Sequence, residues 1–500
     1  MSNKRVLKNT IILYLRMIFQ MTVYLYTSRV VVKALGFVDY GIYDVVGSVV
    51  ISMMFLNNSL LNCTQRFITY TLASGDNKEL SKIFSHSIYI HVAFGVCIVV
   101  VGALIGTWYI NEVMVLPQDR VDDALFVFYV SLASSFIAMV SVPYNALIIA
   151  HEHMGAFALI TIVDVLLKFV AAVSLFFFDD RLRVYALFLL AAAIVVRIIY
   201  ALYCNRRYKG VHLVRCFDSG TFKSMLGFLG WNTIGNTAIM CNTQGLNLML
   251  NAVGGPVINA ARGLAFQAQS AVVSFINSFQ TAINPQITKS YAMGDVPKMN
   301  SLILISSRVS FMLMFFIMVP LLLLTENLLA VWVGDFPPYT AAFVRILLCV
   351  SVVETIANPM MVGASATGNI KRYQLMVGGA MLCTLPIAFI ALKAGAAPES
   401  VFWALLATTL FAQLVRMWLC RGLFNFSVAQ FCSQVMLPVI KVVVAGFVPL
   451  VFFYPYYSAC SGISVVLVAL MLDVWIALCV FLLGLHKAER DFILRKIKLK

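Results

Sequence analysis

Polar side chains that could hold an anion recur at helical spacing inside three long apolar stretches of the sequence. Residues four, seven or eleven positions apart lie on one face of a helix, so each set predicts one polar stripe. The three stripes are Arg16, Gln20 and Thr27; Asn232, Asn236, Thr243 and Asn247; and Arg262, Gln269 and Asn277. These amide and guanidinium groups face something other than lipid, which predicts a polar cavity. Hydrogen bonding between neighbouring helices explains the stripes equally well.

Four further charged residues in apolar stretches are candidates for ion coupling, namely Asp164, Lys168, Glu354 and Asp473. Asp164 and Lys168 are four positions apart in the favourable acid-first order, so a self-neutralising pair is the preferred interpretation. Each of Lys441 and Asp473 would be costly alone in hydrocarbon. We therefore predict that these two form a structural salt bridge, with a proton-coupling role for Asp473 as the alternative.

No sequence pattern indicates catalysis. There is no Walker A motif, no nucleophile elbow and no pair of catalytic carboxylates. The 11 cysteines include no C-x-x-C pair, and the histidines give no plausible set of metal ligands. We predict that the chain is not an enzyme and needs neither cofactor nor metal.

The composition excludes a soluble protein. Of the 500 residues, 62% are hydrophobic and 11% are charged, whereas soluble chains carry roughly 25% charged residues. The formal net charge of +15 could suggest nucleic acid binding, but the basic residues cluster between long apolar runs. We predict an all-α polytopic membrane protein that binds no nucleic acid.

A window of about 20 apolar residues predicts about fourteen membrane spans. They lie at roughly 10–32, 42–62, 84–108, 124–148, 157–178, 184–203, 224–251, 257–284, 301–325, 338–363, 374–392, 399–419, 434–453 and 461–485. Most of the Lys and Arg residues outside these spans fall in alternate loops, and the other loops hold only Lys33, Arg120, Arg181, Arg183 and Lys393. This asymmetry predicts cytoplasmic N- and C-termini.

An internal repeat relates the two halves of the chain at an offset of 219–220 residues. Phe55-Leu56-Asn57 matches Phe275-Ile276-Asn277, and Gly75-Asp76 matches Gly294-Asp295. The offset covers an even number of spans, which predicts a parallel repeat and alternating access. The predicted organisation is a six-helix bundle at 1–204, a basic cytoplasmic linker at 205–223, a second bundle at 224–420, an appended helix pair at 434–485 and a basic tail at 486–500.

Five arginines lie within about two helical turns of a predicted span end. We predict that their long side chains reach the lipid headgroups. They are Arg29, Arg197, Arg308, Arg345 and Arg416.

Short motifs near the N-terminus resemble those of bacterial polysaccharide flippases. The matching segments are Asn9-Thr10, Thr27-Ser28-Arg29, Leu35-Gly36-x-x-Asp39-Tyr40-Gly41-Ile42-Tyr43 and Thr64-Gln65-Arg66-Phe67. These flippases belong to the multidrug/oligosaccharidyl-lipid/polysaccharide (MOP) exporter superfamily. The resemblance implies that the chain flips an undecaprenyl-diphosphate-linked oligosaccharide across the bacterial cytoplasmic membrane for polysaccharide biosynthesis, among membrane lipids and beside a polysaccharide polymerase.

The resemblance also implies a set of substrate-binding residues. Relatives place cationic residues of spans one, two and eight in a central cavity, and the candidates at those positions are Arg16, Arg29, Arg66 and Arg262. Arg66 falls at the cytoplasmic mouth by hydropathy. The stripe residues Gln20, Asn232, Asn236 and Gln269 complete the predicted set.

Two other functions stay open from the sequence. A multidrug or cation antiporter of the same superfamily is the main alternative, although the excess of basic over acidic residues in the spans favours an anionic substrate. A membrane glycan ligase or polymerase would need a large outer loop with catalytic groups. The longest predicted outer loop has about 15 residues.

Overall fold

The computed structural model describes residues 3–53, 57–113, 120–214, 218–333, 335–452, 463–485 and 489–490. The secondary structure of this part of the chain is helical, with no strand. The chain divides into two compact units, Met1–Thr233 and Ile234–Lys500.

The N-terminal unit contains six helices and the start of a seventh. They are α1 (Asn3–Met53), α2 (Asn57–Ser74), α3 (Asn77–Trp108), α4 (Val121–Ala150), α5 (Met154–Ser174), α6 (Arg181–Arg207) and α7 (Ser219–Ala292). A π-helical turn at Tyr109–Val113 continues α3, and a 3₁₀ turn at Leu175–Phe177 continues α5. Helix α4 packs against α3 and α6, while α1 packs against α5. Its core includes the fully buried Phe128 and Leu132.

The C-terminal unit contains the rest of α7 and nine further helices. They are α8 (Val296–Leu323), α9 (Thr325–Trp332), α10 (Thr340–Thr367), α11 (Lys371–Leu382), α12 (Thr384–Lys393), α13 (Ser400–Phe424), α14 (Val428–Phe431), α15 (Leu437–Phe452) and α16 (Ile463–Cys479). π-Helical turns lie at Cys432–Met436 and Val480–Gly484. Helix α10 packs against α8 and α13 around a large apolar core.

Helix starts recur in the two units at the offset that the sequence repeat predicts. Helices α3, α4 and α6 begin 219 residues before α8, α10 and α13. Gly75 and Gly294 both take φ of +76°, a conformation that favours glycine. The next residue, Asp76 or Asp295, then caps the following helix through its carboxylate. The repeat therefore extends from sequence to local backbone geometry.

Ten helical segments of the described chain are long and apolar enough to cross a membrane. They correspond to predicted spans three to six and nine to fourteen. The other four predicted spans fall in α1, α2 and α7. A straight helix of the 74 residues of α7 would be about 110 Å long, against a hydrocarbon core of about 30 Å. Helix α7 is therefore long enough for more than one crossing.

Hydrogen bonds hold the linker after α6 against a polar face of α3. Ser81 Oγ donates to the carbonyl of Gly210 and accepts from the amide of His212. The amide of Val214 donates to Ser85 Oγ, and the amide of Asp218 donates to Nε2 of His86. Nδ1 of His86 lies 2.7 Å from the carbonyl of Lys82. The predicted cytoplasmic linker is thus ordered on α3 over its described residues.

Tyr208, at the start of the linker, is buried. Its ring stacks on His151 at 4.1 Å between centroids, and its hydroxyl lies 2.7 Å from Nδ1 of His153. Burial raises the pKa of Tyr208 above its ordinary value, so the hydroxyl stays protonated.

The prediction that five arginines reach the headgroups is wrong for Arg308 and Arg416, which are only 1% and 7% exposed. Arg308 donates to the carbonyl of Gln434 at 3.1 Å and to the carboxylate of Glu489, so its charge is neutralised inside the C-terminal unit. Its partner is 181 positions away in the sequence, and hydropathy could not reveal it. Arg345 instead pairs at 3.2 Å with Glu326.

Of the other two arginines, Arg197 stacks over Tyr144 at 4.0 Å. The side chain of Arg29 lies outside the described residues.

The predicted salt bridge between Lys441 and Asp473 is also wrong. Lys441 is exposed, whereas Oδ1 of Asp473 is buried and has no hydrogen-bond partner in the described part of the chain. The two side chains therefore face different surroundings. Similar predicted depth in the membrane was not enough to bring them together.

Candidate functional site

A cavity of about 600 Å³ lies within the N-terminal unit, among α1, α4, α5 and α6. Asp164 and Lys168 of α5 line it and form an ion pair of 2.8 Å between Oδ2 and Nζ. The Asp164 side chain is 25% exposed and that of Lys168 is 47% exposed. The self-neutralising pair that their spacing predicts is therefore present. Because it faces open space, an incoming ion or substrate could exchange with it.

A polar face of α4 forms the wall of the cavity. Its residues are related by spacings of three, four or seven positions, so they share one side of the helix. They are Ser131, Ser134, Ser135, Ser141 and Asn145. Oδ1 of Asn145 is buried without a hydrogen-bond partner among the described residues. This face was not predicted from the sequence, although its helical period would have revealed it.

Arg16 of α1 is half-buried beside this cavity. Its guanidinium carbon lies 4.7 Å from the centroid of Phe157. Arg16 also interacts electrostatically with Tyr200, which lines the cavity. Nε of Arg16 is buried and has no hydrogen-bond partner in the described chain. Aromatic stacking thus holds the guanidinium and leaves hydrogen-bonding capacity unused.

Arg262 of α7 has a similar environment in the C-terminal unit. Its guanidinium carbon lies 4.5 Å from the Phe266 centroid. Nη2 donates to the carbonyl of Thr243 at 3.1 Å, whereas Nε finds no partner among the described residues. Neither Arg16 nor Arg262 forms an ion pair with a described carboxylate, so both keep a positive charge available to an anion.

Arg66 lies against three aromatic rings of the N-terminal unit. Its guanidinium carbon is 4.5 Å from the centroid of Phe67, 5.3 Å from that of Tyr70 and 5.2 Å from that of Phe228. These rings fix the plane of the guanidinium. Arg66 is half-buried.

Two of the predicted amide ligands form hydrogen bonds between helices. Asn232 is buried and donates from Nδ2 to the carbonyl of Ser59 at 3.3 Å. Nε2 of Gln269 donates to Ser351 Oγ at 2.7 Å and lies 3.4 Å from the carbonyl of Leu347. These contacts match the alternative explanation of the stripes, hydrogen bonding between helices. Gln20 and Asn236 are half-buried.

A second polar network, also missed by the sequence analysis, lies inside the C-terminal unit. Gln280 is buried and donates from Nε2 to Ser310 Oγ and to the carbonyl of Thr355, both at 3.0 Å. Its Oε1 accepts from the amide of Asn358. Gln280 is eleven positions after Gln269, so it extends the α7 stripe. Glu354 is exposed, and it lies four positions before Asn358 on α10.

The fold is similar to that of several solved transporters. A MATE in the bent conformation gives a TM-score of 0.75 at 16% identity over 84% of this chain and 95% of that one. The outward-facing conformation of a multidrug resistance MATE family transporter of the MOP superfamily gives 0.72 at 16% identity over 84% and 96%. The chain has the MATE transporter fold.

A third neighbour with the MATE fold is a MOP superfamily transporter from Pyrococcus furiosus. It gives a TM-score of 0.68 at 16% identity over 84% of this chain and 96% of that one. That protein is described as having a binding pocket of reverse polarity that suggests a different function. No protein-family model and no curated protein matches the sequence.

Proposed function

We propose that this chain is a membrane transporter that works by alternating access. The single observation that carries the proposal is the likeness to MATE transporters over 84% of the chain. The ten apolar helices of membrane-spanning length and the repeat of helix starts support it.

A multidrug substrate is the candidate that the fold likeness favours. One similar structure is a multidrug resistance transporter. The 600 Å³ cavity of the N-terminal unit has the size of a site for a small organic molecule. Its tyrosines, among them Tyr24, Tyr43 and Tyr185, offer aromatic faces to a cation.

An anionic substrate is the second candidate, and a specific observation favours it. Arg16 and Arg262 are half-buried, stacked on phenylalanines and not paired with any described carboxylate. A desolvated guanidinium of this kind binds a diphosphate strongly and repels a cation. The substrate would then be an undecaprenyl-diphosphate-linked oligosaccharide, flipped across the cytoplasmic membrane for polysaccharide synthesis.

Deletion of the gene distinguishes the two candidate substrates when both the polysaccharide of the cell and its drug sensitivity are measured. A flippase predicts accumulation of lipid-linked oligosaccharide and loss of surface polysaccharide, with unchanged drug sensitivity. A multidrug extruder predicts increased sensitivity to cationic drugs with normal polysaccharide. If neither quantity changes, both substrate proposals are wrong.

Complementation with variants then tests the arginines. For an anionic substrate, Arg16→Ala and Arg262→Ala should each abolish export at normal protein level, and Arg→Lys should restore it only in part because the bidentate fork is lost. Arg206→Ala, which removes an exposed charge at the end of α6, is the matched control and should export normally. Full export by the Arg16→Ala/Arg262→Ala double variant would exclude a diphosphate site at these residues.

A further inference from the structure

A second cavity, of about 530 Å³, lies within the C-terminal unit between the start of α11 and the end of α13. Asn369 and Arg372 line it on the α11 side, and Trp418 and Arg421 line it on the α13 side. None of these residues belongs to the predicted substrate site. The cavity therefore needs its own explanation.

The cavity is basic. Arg372 and Arg421 are both exposed, and within the described residues neither forms an ion pair or a hydrogen bond. No carboxylate lines this cavity. The cavity therefore has two guanidinium groups and no counter-charge, which favours binding of an anion. The paired N–H donors of a planar guanidinium match the spacing of phosphate oxygens.

The cavity also has an apolar side. Trp418 is 63% exposed and Met376 is 43% exposed, and Leu419 lies beside them. Tryptophan is enriched at the boundary between lipid headgroups and acyl chains. A free inorganic anion would leave these side chains without a partner, whereas a lipid would cover them with its acyl chain.

The position in the chain agrees with a membrane interface. Gly368 follows the last residue of α10 and Asn425 follows the last residue of α13, and both take the left-handed conformation that stops a helix. The loop charges predict that these ends face the cytoplasm, where anionic lipids attract basic residues.

We propose that this cavity binds the phosphate of an anionic membrane phospholipid, with Arg372 and Arg421 holding the phosphate and Trp418 and Met376 contacting the acyl chain. The site is separate from substrate transport. It would anchor the ends of α11 and α13 at the membrane surface.

Quenching of Trp418 by a brominated lipid tests the proposal. The full-length protein is placed in phosphatidylcholine nanodiscs with increasing fractions of phosphatidylglycerol brominated in its acyl chains. Subtracting the signal of the Trp418→Phe variant isolates Trp418 from the other five tryptophans. We expect saturable quenching, and about thirty-fold weaker binding in Arg372→Gln/Arg421→Gln, since each basic residue near anionic lipid contributes several-fold.

Matched controls separate this site from general surface charge. Arg206→Gln/Arg207→Gln removes the same charge from the exposed end of α6 and should leave the binding curve unchanged. Brominated phosphatidylcholine should quench without saturation. Arg372→Lys/Arg421→Lys keeps the charge and should bind several-fold more weakly than the native protein, which provides a test even if the glutamine variant fails to fold.

Three results would overturn the proposal. The first is equal binding by the native protein and both double variants of Arg372 and Arg421. The second is displacement of the lipid by soluble glycerol phosphate at similar concentration, which would indicate a free-phosphate site. The third is binding of an isoprenyl diphosphate in place of phosphatidylglycerol, which would make the cavity part of the substrate path.

Discussion

The two units differ in how deeply their polar side chains are buried, although their helices start at repeating positions. In α8 and α10 of the C-terminal unit, 67% and 61% of the residues in the most apolar stretch of the helix are buried. This share does not exceed 33% in α3, α4, α5 or α6 of the N-terminal unit. Gln280 and Arg308 of the C-terminal unit are enclosed and bonded to partners on other elements. The Asp164–Lys168 pair of the N-terminal unit faces an open cavity. These polar groups are therefore enclosed in the C-terminal unit, whereas the ion pair of the N-terminal unit is accessible.

The largest expected effect comes from breaking the buried ion pair of the C-terminal unit. Arg308→Met leaves the carboxylate of Glu489 without its partner and should lower the free energy of unfolding by about 3 kcal/mol. Thermal unfolding of the detergent-solubilised protein measures it. Arg345→Met is the matched control, because its pair with Glu326 is exposed and should contribute less than about 1 kcal/mol. Equal losses in the two variants would contradict the difference between buried and exposed pairs.

The Gln280 network should show the next largest effect. Gln280→Leu keeps the side-chain size but leaves Asn358 and the carbonyl of Thr355 unpaired inside the unit. We expect a loss of about 2 kcal/mol, measured by the same unfolding assay. Gln244→Leu changes an exposed glutamine of the same helix and should have little effect. If both variants unfold alike, the network does not stabilise the unit.

The sequence was most informative where structure depends on local chemistry. Gly75-Asp76 and Gly294-Asp295 each combine a left-handed glycine with a helix-capping carboxylate, and both requirements can be recognised from neighbouring residues. The pair of Asp164 with Lys168 depends only on helical spacing. Apolar length likewise predicted ten of the spans. The all-helical membrane fold followed from these patterns.

Contacts between distant elements could not be predicted in this way. Arg308 was assigned to the headgroups because its partner Glu489 lies in another part of the chain. Lys441 and Asp473 were paired by depth, but depth does not fix which side of a helix a residue faces. The serine face of α4 was missed because small neutral residues hardly change the hydropathy of an apolar stretch.

The cavity ion pair should affect transport far more than stability. Asp164→Asn and Lys168→Gln should each cost less than about 1 kcal/mol of folding free energy, since the pair is partly solvated. Each should reduce transport, because an unpaired charge then remains in the cavity. The double variant Asp164→Asn/Lys168→Gln should recover transport if the pair only neutralises itself. A double variant that stays inactive at normal protein level would show that Asp164 itself binds the coupling ion.

The smallest expected effect concerns the exposed turn where the linker meets α7. Asp218 accepts hydrogen bonds from the hydroxyl of Thr221 and from the amides of Gly220 and Thr221. These bonds, the hydroxyl of Thr221 foremost, lower the pKa of Asp218 below its ordinary value of 3.8. A carboxylate whose pKa is lowered by folding stabilises the protein above its unfolded pKa, and this stabilisation is lost as pH falls through the folded value.

The native protein should therefore lose slightly more stability than Asp218→Asn as the pH falls below about 4. Unfolding temperatures of the two proteins, measured between about pH 3 and pH 6, provide the comparison. Thr221→Val removes the strongest hydrogen-bond donor to Asp218, so the stability that depends on the Asp218 carboxylate should change less with pH in this variant. Asp122→Asn changes an exposed carboxylate elsewhere and should leave the pH dependence of the native protein unchanged. Identical pH profiles for the native protein and Asp218→Asn would mean that this cap does not hold the start of α7, and that the linker depends on its bonds to Ser81, Ser85 and His86 alone.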